Sequence, residues 1–420
     1  MRFTMICIGS TGDVNPYVLL GSKLKRRGHE VTLCAFSDFQ ELVEGAGLRF
    51  RPISGDAREF MRAIMKPGAK GVSFLKQVRG TLKKIMNPFL EDLWNGCEGA
   101  EAMVGTYFGG VFMSIAEARH VPFVQTHYFP MDSNDLTPIS SAPGQRAGKA
   151  WNKASYKLGY LLINTLEVHY LSHWRAAHGM TPRRLDTKPN YVINGHHVPV
   201  VYAMSPLLMP RPTTWDENIH MTGFWLDEKR TSDYAPPPEL EDFLAAGEPP
   251  VYIGFGSMTS GDMGGTLRIV LEAIRQSGVR AIISTGWGEV AIPQEPNVYV
   301  AKGFVPHDWL FERVTAVVHH GGAGTTAMGL LAGKPTLVIP FGGDQPFWAM
   351  RVRMMGLGPK PISREKLTAA KLTRALKNLV TVKSYRVAAQ EMSQRLKMEN
   401  GVSCAADIIE REVTKWVADE

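Results

Sequence analysis

His319–Trp348 reads HHGGAGTTAMGLLAGKPTLVIPFGGDQPFW, and this stretch decides the fold. An apolar, β-branched run, Val314–Val318, leads into it and breaks at a glycine cluster. A helix is expected over Thr325–Ala332, after which Lys334-Pro335 introduces a second apolar strand ending at Pro340. Strand, glycine turn, helix, strand and an acidic-amide loop at Asp344-Gln345 is the order of a parallel α/β unit. A first turn of Gly-Gly-Ala-Gly-Thr-Thr presents unbonded N–H groups, two hydroxyls and the positive end of the helix dipole, with no bulky side chain in front. Such a turn receives an anion, and phosphate is the expected one.

The same rhythm continues on both sides. Ahead of the stretch, strands are expected at Val251–Phe255, Ala281–Ser284 and Val298–Val300, with a helix over Thr266–Ser277. After it come a strand at Thr336–Ile339 and three closing helical segments between Arg364 and Trp416. The first half alternates as well: strands Phe3–Ile8, His29–Ala35, Leu48–Pro52, Ala102–Val104 and Phe123–Thr126, with helices Asn15–Arg27, Asp38–Ala46 and Gly110–Arg119. Between the halves, Asp227-Glu228-Lys229-Arg230, Ala235-Pro236-Pro237-Pro238 and Gly247-Glu248-Pro249-Pro250 signal a stiff, exposed linker. The expected class is α/β, two Rossmann-like domains facing each other across a cleft. The expected divisions are an N-terminal domain 1–225, a linker 226–248, a C-terminal domain 249–395, and a closing helix 396–420 that packs back on the first domain. A chain of 420 residues with 44% hydrophobic content supports two buried cores.

A formal charge of +7 and a pI near 9.1 suit an anionic ligand. No zinc-ligand spacing, recognition helix or aromatic-basic RNA motif is present, so no nucleic-acid partner is expected. Cys7, Cys34, Cys97 and Cys404 lie far apart without a CxxC and read as reduced structural thiols, which favours the cytoplasm. The chain opens on a strand without a leader pattern and carries no apolar run near 18 residues, so neither secretion nor a membrane span is expected. Between Phe60 and Leu90 there are seven Lys or Arg residues and no acidic one. Phe74, Leu75, Val78, Leu82, Ile85 and Met86 form an apolar stripe beside them. A surface helix with one buried face accounts for this, and the alternative is peripheral contact with anionic lipid.

Ligands of open parallel sheets gather at the carboxyl ends of the strands, and the first such end is Gly9-Ser10-Thr11-Gly12-Asp13. Asp13 has two readings, a helix N-terminal carboxylate just before Pro16 or an acidic group at the mouth of a crevice, and spacing does not separate them. His127 ends a strand on the same side and is either structural or turned toward a ligand. In the second half, Ser257 of Gly254–Met258 is placed to bond a phosphate. Phe304 is placed to stack on a base whose edge the Val305 backbone reads. The third glycine of GxGxxG is missing after Gly254 and no Walker A lysine pattern occurs, which argues against hydride transfer and ATP hydrolysis.

The order Gly9–Pro16 (GSTGDVNP), Gly254–Met258 (GFGSM), Gly303–Leu310 (GFVPHDWL) and His319–Trp348 resembles the UDP-sugar-dependent glycosyltransferases of the GT-B fold, family 1. Within them it is most similar to the sterol glucosyltransferase and antibiotic-modifying branch, over nearly the whole chain. The resemblance implies that His320 contacts the donor diphosphate, with Gly322, Gly324 and Thr325 cradling it. It also places Asp344 and Gln345 on the sugar hydroxyls and Phe304 against uracil. Gly12, Ser257, Val305 and His307 complete the implied donor set, and Asp13, His127 and Phe129 the acceptor set. Met328 stands where plant relatives carry a Glu for the ribose.

Displacing a nucleoside diphosphate from an anomeric carbon requires stabilised leaving oxygens, a base for the incoming hydroxyl and exclusion of water. Helix dipole, N–H groups, hydroxyls and His320 supply the first. Asp13 is the candidate base. The sequence has no Asp-X-Asp, so a metal-independent reaction is expected, with the UDP-sugar as co-substrate and no other cofactor. Attack opposite the diphosphate inverts the anomeric centre and gives a β-glycoside from an α-linked donor. The expected reaction carries a hexose, glucose by resemblance, to a hydroxyl of an apolar sterol, triterpenoid, polyketide or phenolic acceptor. A sugar-nucleotide epimerase on the same scaffold, or a non-catalytic UDP-sugar or lipid-binding protein, are the alternatives.

Overall fold

The computed structural model describes residues 1–56, 86–106, 110–140, 142, 147–182, 191–227, 234–256, 263–284, 295–303 and 305–419. Most of the basic 60–90 stretch, together with Ser257 and Phe304, lies outside them. The chain forms two compact units: Met1–Pro206, Pro210–Trp225 and Asn400–Glu420 make the first, and Leu207–Met209 with Leu226–Glu399 the second.

The first unit holds a seven-stranded sheet in the order β3-β2-β1-β4-β5-β8-β9, every pair parallel. Its strands are β1 (Arg2–Ile6), β2 (Glu30–Phe36), β3 (Arg49–Ile53), β4 (Ala102–Thr106), β5 (Phe123–His127), β8 (Val200–Tyr202) and β9 (Ile219–Met221). A small antiparallel hairpin, β6 (Val192–Ile193) with β7 (His196–His197), stands apart from this sheet. The AMVGT run of β4 and the VVY run of β8 are buried along nearly their whole length, as parallel strands covered by helices must be. The sequence over 127–195 reads as irregular and helical, and the 29-residue helix Lys149–Ala177 lies there, while the short strands β8 and β9 follow it. Within that helix Tyr156, Tyr160, Leu171 and Trp174 are buried, so the aromatics belong to the core.

The first helix begins at Thr11, not Asn15, because Ser10 and Asp13 bond each other across its first turn and fix the start ahead of Pro16. The closing helix Gly401–Ala418 returns to the first unit. Arg27 reaches Asp407 and Glu410 at 2.6 Å, His29 meets Glu410 at 2.8 Å, and Trp416 joins the core formed around Phe112, Phe123 and Leu171. A Cβ on Gly401 would lie 2.2 Å from the carbonyl oxygen of Phe224.

The second unit holds a five-stranded parallel sheet, β12-β11-β10-β13-β14. Its strands are β10 (Val251–Gly254), β11 (Ala281–Ser284), β12 (Val298–Ala301), β13 (Ala316–His319) and β14 (Thr336–Val338). The expected exposed linker 226–248 is corrected in one respect. Pro238 opens a helix, Pro238–Ala245, whose Leu240 is fully buried against Tyr252, Ile282 and Phe311. Proline is well suited to the first helical position, where its missing N–H costs nothing, so a triple proline here starts a helix. The acidic-amide loop is likewise corrected: Asp344 is the N-cap of a helix, Gln345–Met354, with Pro346 in its first turn.

Cys7, Cys34 and Cys97 are buried free thiols and Cys404 is partly buried. Among the described residues no helix is long and apolar enough to cross a membrane. Because Gly401 abuts the main chain of Phe224, Gly401→Ala is expected to destabilise the first unit by about 1–3 kcal/mol, the usual penalty of overpacking. The midpoint of urea unfolding followed by Trp416 and Trp225 fluorescence measures it, and an unchanged midpoint contradicts the close approach.

Candidate active site

In each sheet the strand order reverses beside the first strand, between β1 and β4 and between β10 and β13. Loops leaving such a pair part in opposite directions and open a crevice at the strand ends. In the second unit Gly254 of β10 pairs with His319 of β13, so the chain after each enters the same small space. His319 is fully buried, and its Nδ1 accepts the N–H of Gly321 at 2.9 Å, which holds the turn. Gly321 itself has φ 99°, and a Cβ there would lie 2.6 Å from Val338 Cγ1.

The ring of His320 is held between two glycines. A Cβ on Gly256, whose φ is 58°, would lie 2.9 Å from its Cε1, and one on Gly322 would lie 2.6 Å from its Nε2. His320 Nδ1 is buried without a hydrogen-bond partner among the described residues. Burial, and secondarily His307, pushes the imidazole down to about 4, so it is neutral at pH 7. Gly322 is the N-cap of the helix Ala323–Leu331. The N–H groups of Ala323, Gly324 and Thr325 have no carbonyl within the helix, since the first helical bond runs from Thr326 N to Gly322 O at 3.0 Å. A Cβ on Gly324 would meet open space, and Thr325 is half-buried. Thr326 Oγ1 turns back to Gly322 O at 2.8 Å, so of the two threonines it serves the helix and Thr325 faces outward. A helix start of this kind, with a neutral imidazole beside it, can receive an anion.

Asp344 and Gln345 follow at the next helix start. Trp348 Nε1 donates to Asp344 Oδ2 at 2.9 Å, and Gln345 Oε1 accepts the N–H of Phe341 at 2.7 Å and of Gly342 at 3.2 Å. These bonds hold both side chains at the helix start. Val305 and His307 sit at the opening of the helix His307–Glu312, where Val305 packs on the Leu310–Phe311 core. His307 stacks on Phe311 at 4.5 Å and approaches Tyr252 Oη at 3.3 Å, and burial lowers it to about 4. The roles assigned by resemblance to Ser257 and Phe304 fall on residues outside those described.

In the first unit Asp13 is half-buried, and its Oδ2 accepts Ser10 N–H at 2.7 Å and Ser10 Oγ at 2.9 Å. Burial raises its carboxyl above the ordinary value, and the two Ser10 bonds oppose the rise. The helix-cap geometry and a raised carboxyl thus occur in the same side chain. Gly9 makes room for it: a Cβ there would lie 2.3 Å from Asp13 Oδ2. Tyr128 donates to the Asp13 carbonyl at 2.6 Å, and Tyr17, Tyr128 and Trp225 meet edge to face around that point. Gly12 is exposed on the first turn and Phe129 is half-buried after Tyr128. His127 is placed differently from the ligand-facing reading. It is 4% exposed, its Nε2 lies 2.9 Å from Gln125 Nε2, and its ring rests against Tyr202. Alternation of strand side chains turns it into the domain.

Sequence reasoning missed Asp132. It is buried, and both its oxygens accept tyrosine hydroxyls, from Tyr191 and Tyr202, at 2.6 Å each. It also missed Gly256 as a wall of the His320 slot, though a glycine after a strand end is the one signal that marks such a place.

Residues 3–134 match the glycosyltransferase family 28 N-terminal domain, and residues 285–410 match the erythromycin biosynthesis protein CIII-like, C-terminal domain. The sterol 3-beta-glucosyltransferase of Debaryomyces hansenii is 32% identical over 427 residues, covering 97% of this chain and 26% of that protein. The sterol 3-beta-glucosyltransferase of Yarrowia lipolytica is 31% identical over 427 residues, covering 98% of this chain and 29% of its own. The chain therefore spans between a quarter and a third of the length of these relatives. Among solved structures, the glycotransferase of kitacinnamycin superposes with a TM-score of 0.70 at 18% identity, over 98% of both chains. The two family matches, these relatives and this superposition together support a GT-B, family 1-like glycosyltransferase. Both units carry a parallel sheet, and the glycine-rich helix start with His320 belongs to the second.

The slot around His320 makes a prediction independent of any ligand. Imidazole NMR of the free protein is expected to show His320 titrating near 4. In Gly322→Ala, whose added methyl collides with Nε2, the ring is forced out and its titration returns toward the ordinary histidine value of about 6.5. A wild-type midpoint already at that value contradicts the buried slot.

Proposed function

We propose that this chain transfers a hexose, glucose by kinship, from a UDP-sugar to a hydroxyl of an apolar acceptor, with sterols the first class to test. The reading rests on one observation above all: a neutral imidazole held between Gly256 and Gly322 at the open N-terminus of the Ala323–Leu331 helix. The near-complete alignment with proteins named sterol 3-beta-glucosyltransferases supports the choice of sugar and acceptor.

In this reading the second unit stabilises the leaving diphosphate. N–H groups and the helix dipole are oriented before the reaction, so no reorganisation is needed as charge develops on the leaving oxygens. A neutral His320 serves as a hydrogen-bond donor, because an imidazolium beside the positive helix end is disfavoured. Asp344 and Gln345, fixed by Trp348 and by the Phe341–Gly342 backbone, orient the sugar. The first unit supplies the base: Asp13 accepts the hydroxyl proton as the glycosidic carbon–oxygen bond forms and the anomeric carbon–oxygen bond to the diphosphate breaks. A carboxyl raised by burial is a stronger base than one in water while still ionised at neutral pH. Displacement from the face opposite the diphosphate inverts the anomeric centre. A metal is not required where the helix end and His320 carry the leaving charge.

Incubation with UDP-glucose and a panel of sterols, hydroxylated lipids and phenols, read by product mass and by NMR of the anomeric proton, tests the proposal. A β-glucoside of a sterol formed in the presence of EDTA is the expected outcome; consumption of donor without acceptor overturns it. Asp13→Asn is expected to abolish transfer while UDP binding by calorimetry stays nearly intact, and full activity in that variant removes Asp13 from the role. His320→Ala is expected to lose roughly 2–4 kcal/mol of transition-state stabilisation, as for removal of one oxyanion donor.

A further inference from the structure

The segment Tyr128–Asp132 ties the proposed base to a buried carboxylate. At one end Tyr128 donates to the main-chain carbonyl of Asp13 at 2.6 Å, and the half-buried Phe129 follows. At the other end Asp132, 5% exposed, receives Tyr191 Oη on Oδ1 and Tyr202 Oη on Oδ2, both at 2.6 Å. The Tyr202 oxygen accepts the N–H groups of Met131 at 3.0 Å and Asp132 at 2.9 Å. Tyr160 holds the Met131 carbonyl at 2.9 Å, and Trp215 stacks on Tyr202 with ring centroids 4.6 Å apart.

Counting donors and acceptors fixes the charge this cluster is built for. Tyr202 oxygen has both lone pairs occupied by backbone N–H groups, so its single proton goes to Asp132. Gln125 Nε2 lies 2.9 Å from His127 Nε2 and 3.2 Å from Tyr191 Oη. Donating to both, it directs the Tyr191 proton to Asp132 as well. Burial pushes His127 down to about 3, so it is neutral, and with its proton on Nδ1 its Nε2 accepts that N–H. All the protons run toward Asp132, which suits an acceptor-only carboxylate. A protonated carboxyl is a weaker acceptor and adds a proton among groups whose own protons already point at it, which loosens its hold on the two tyrosines.

We propose that Asp132 is a positioning residue: as a carboxylate it locks the Tyr128–Asp132 segment, and its protonation releases that segment and impairs use of the acceptor by Asp13. The link to acceptor use rests on the glycosyl-transfer reading; the lock itself does not. Burial raises Asp132 to about 6, opposed by the two tyrosine bonds and assisted by the charge of Asp216. The phenols of Tyr191 and Tyr202 are pushed upward by burial and the Asp132 charge, so both stay protonated across this range. Among the described residues Tyr156, Tyr160 and His127 are further titratable groups facing the cluster.

Asp132→Asn places an amide N–H2 where an acceptor is required and imitates the protonated state. Near-UV circular dichroism, which reports on Tyr191, Tyr202 and Trp215, is expected to show a wild-type transition near pH 6 that is absent in the variant. With saturating UDP-glucose, wild-type kcat/KM for the acceptor should fall as pH drops through about 6. The variant should lack that limb and run roughly ten-fold or more below wild type at pH 8, a loss typical of small misplacement at a reacting centre. Its UDP affinity by calorimetry should match wild type. An acid transition or limb near pH 6 that survives in Asp132→Asn overturns the proposal. If that variant does not fold, Tyr191→Phe serves: losing one donor to the carboxylate should move the transition to higher pH, and an unmoved transition also overturns it. A wild type that transfers no sugar but shows the Asp132-dependent transition sinks the transferase reading and leaves the lock standing.

Discussion

The parallel pairing of β10 with β13 sets Gly254 beside His319, and the chemistry available to the second unit depends on that register. Two strands that end together and whose loops diverge leave a space that main chain from both sides can line. From β10 comes Gly256, and from β13 come His320 and the glycine-rich helix start. A shift of one residue would turn His319 outward and His320 into the sheet, exchanging the turn-holding imidazole for the one at the anion site. The register is held by buried Val251, Ile253, Ala316 and Val318, none of which touches the site. The site is thus specified by a core that has no chemistry of its own.

Three glycines do similar work at the functional side chains. Gly9, Gly256 and Gly322 each leave out a Cβ that would fall within 3 Å of Asp13 or His320. The functional groups are immobilised by contact with main chain, which cannot move aside as a side chain can. Preorganisation of this kind is costly in the unfolded chain, where glycine is the most flexible residue, and is recovered in a fixed geometry.

Burial acts on the ionisable groups in one consistent direction. His319, His320 and His307 are pushed toward the neutral form, and so are Asp13 and Asp132. What separates the two carboxyls is their partners. Asp13 is held by Ser10 alone, within its own helix turn, while Asp132 is held by hydroxyls from two distant segments. In the proposed reaction the first arrangement suits a carboxylate that takes a proton from a substrate, and the second suits one that organises its neighbours.

The sequence by itself determined the alternation of strands and helices, the two-unit organisation and the glycine-rich helix start, and it nominated Asp13 and His320 as candidates. These are legible because hydrophobic period, glycine clusters and helix caps act over a few residues. It also misled locally: the triple proline before Glu239 opens a helix instead of a linker, and Asp344-Gln345 begins a helix instead of a loop, since a cap and a turn use the same residue types. Only the tertiary structure decided that His127 points inward and that Asp132 gathers Tyr191 and Tyr202, which are 59 and 70 residues away along the chain. β8 had to pair with β5 for that cluster to exist, placing Tyr202 beside His127. Strand order of this kind is set by the packing of the whole sheet and leaves no mark in the residues that it brings together.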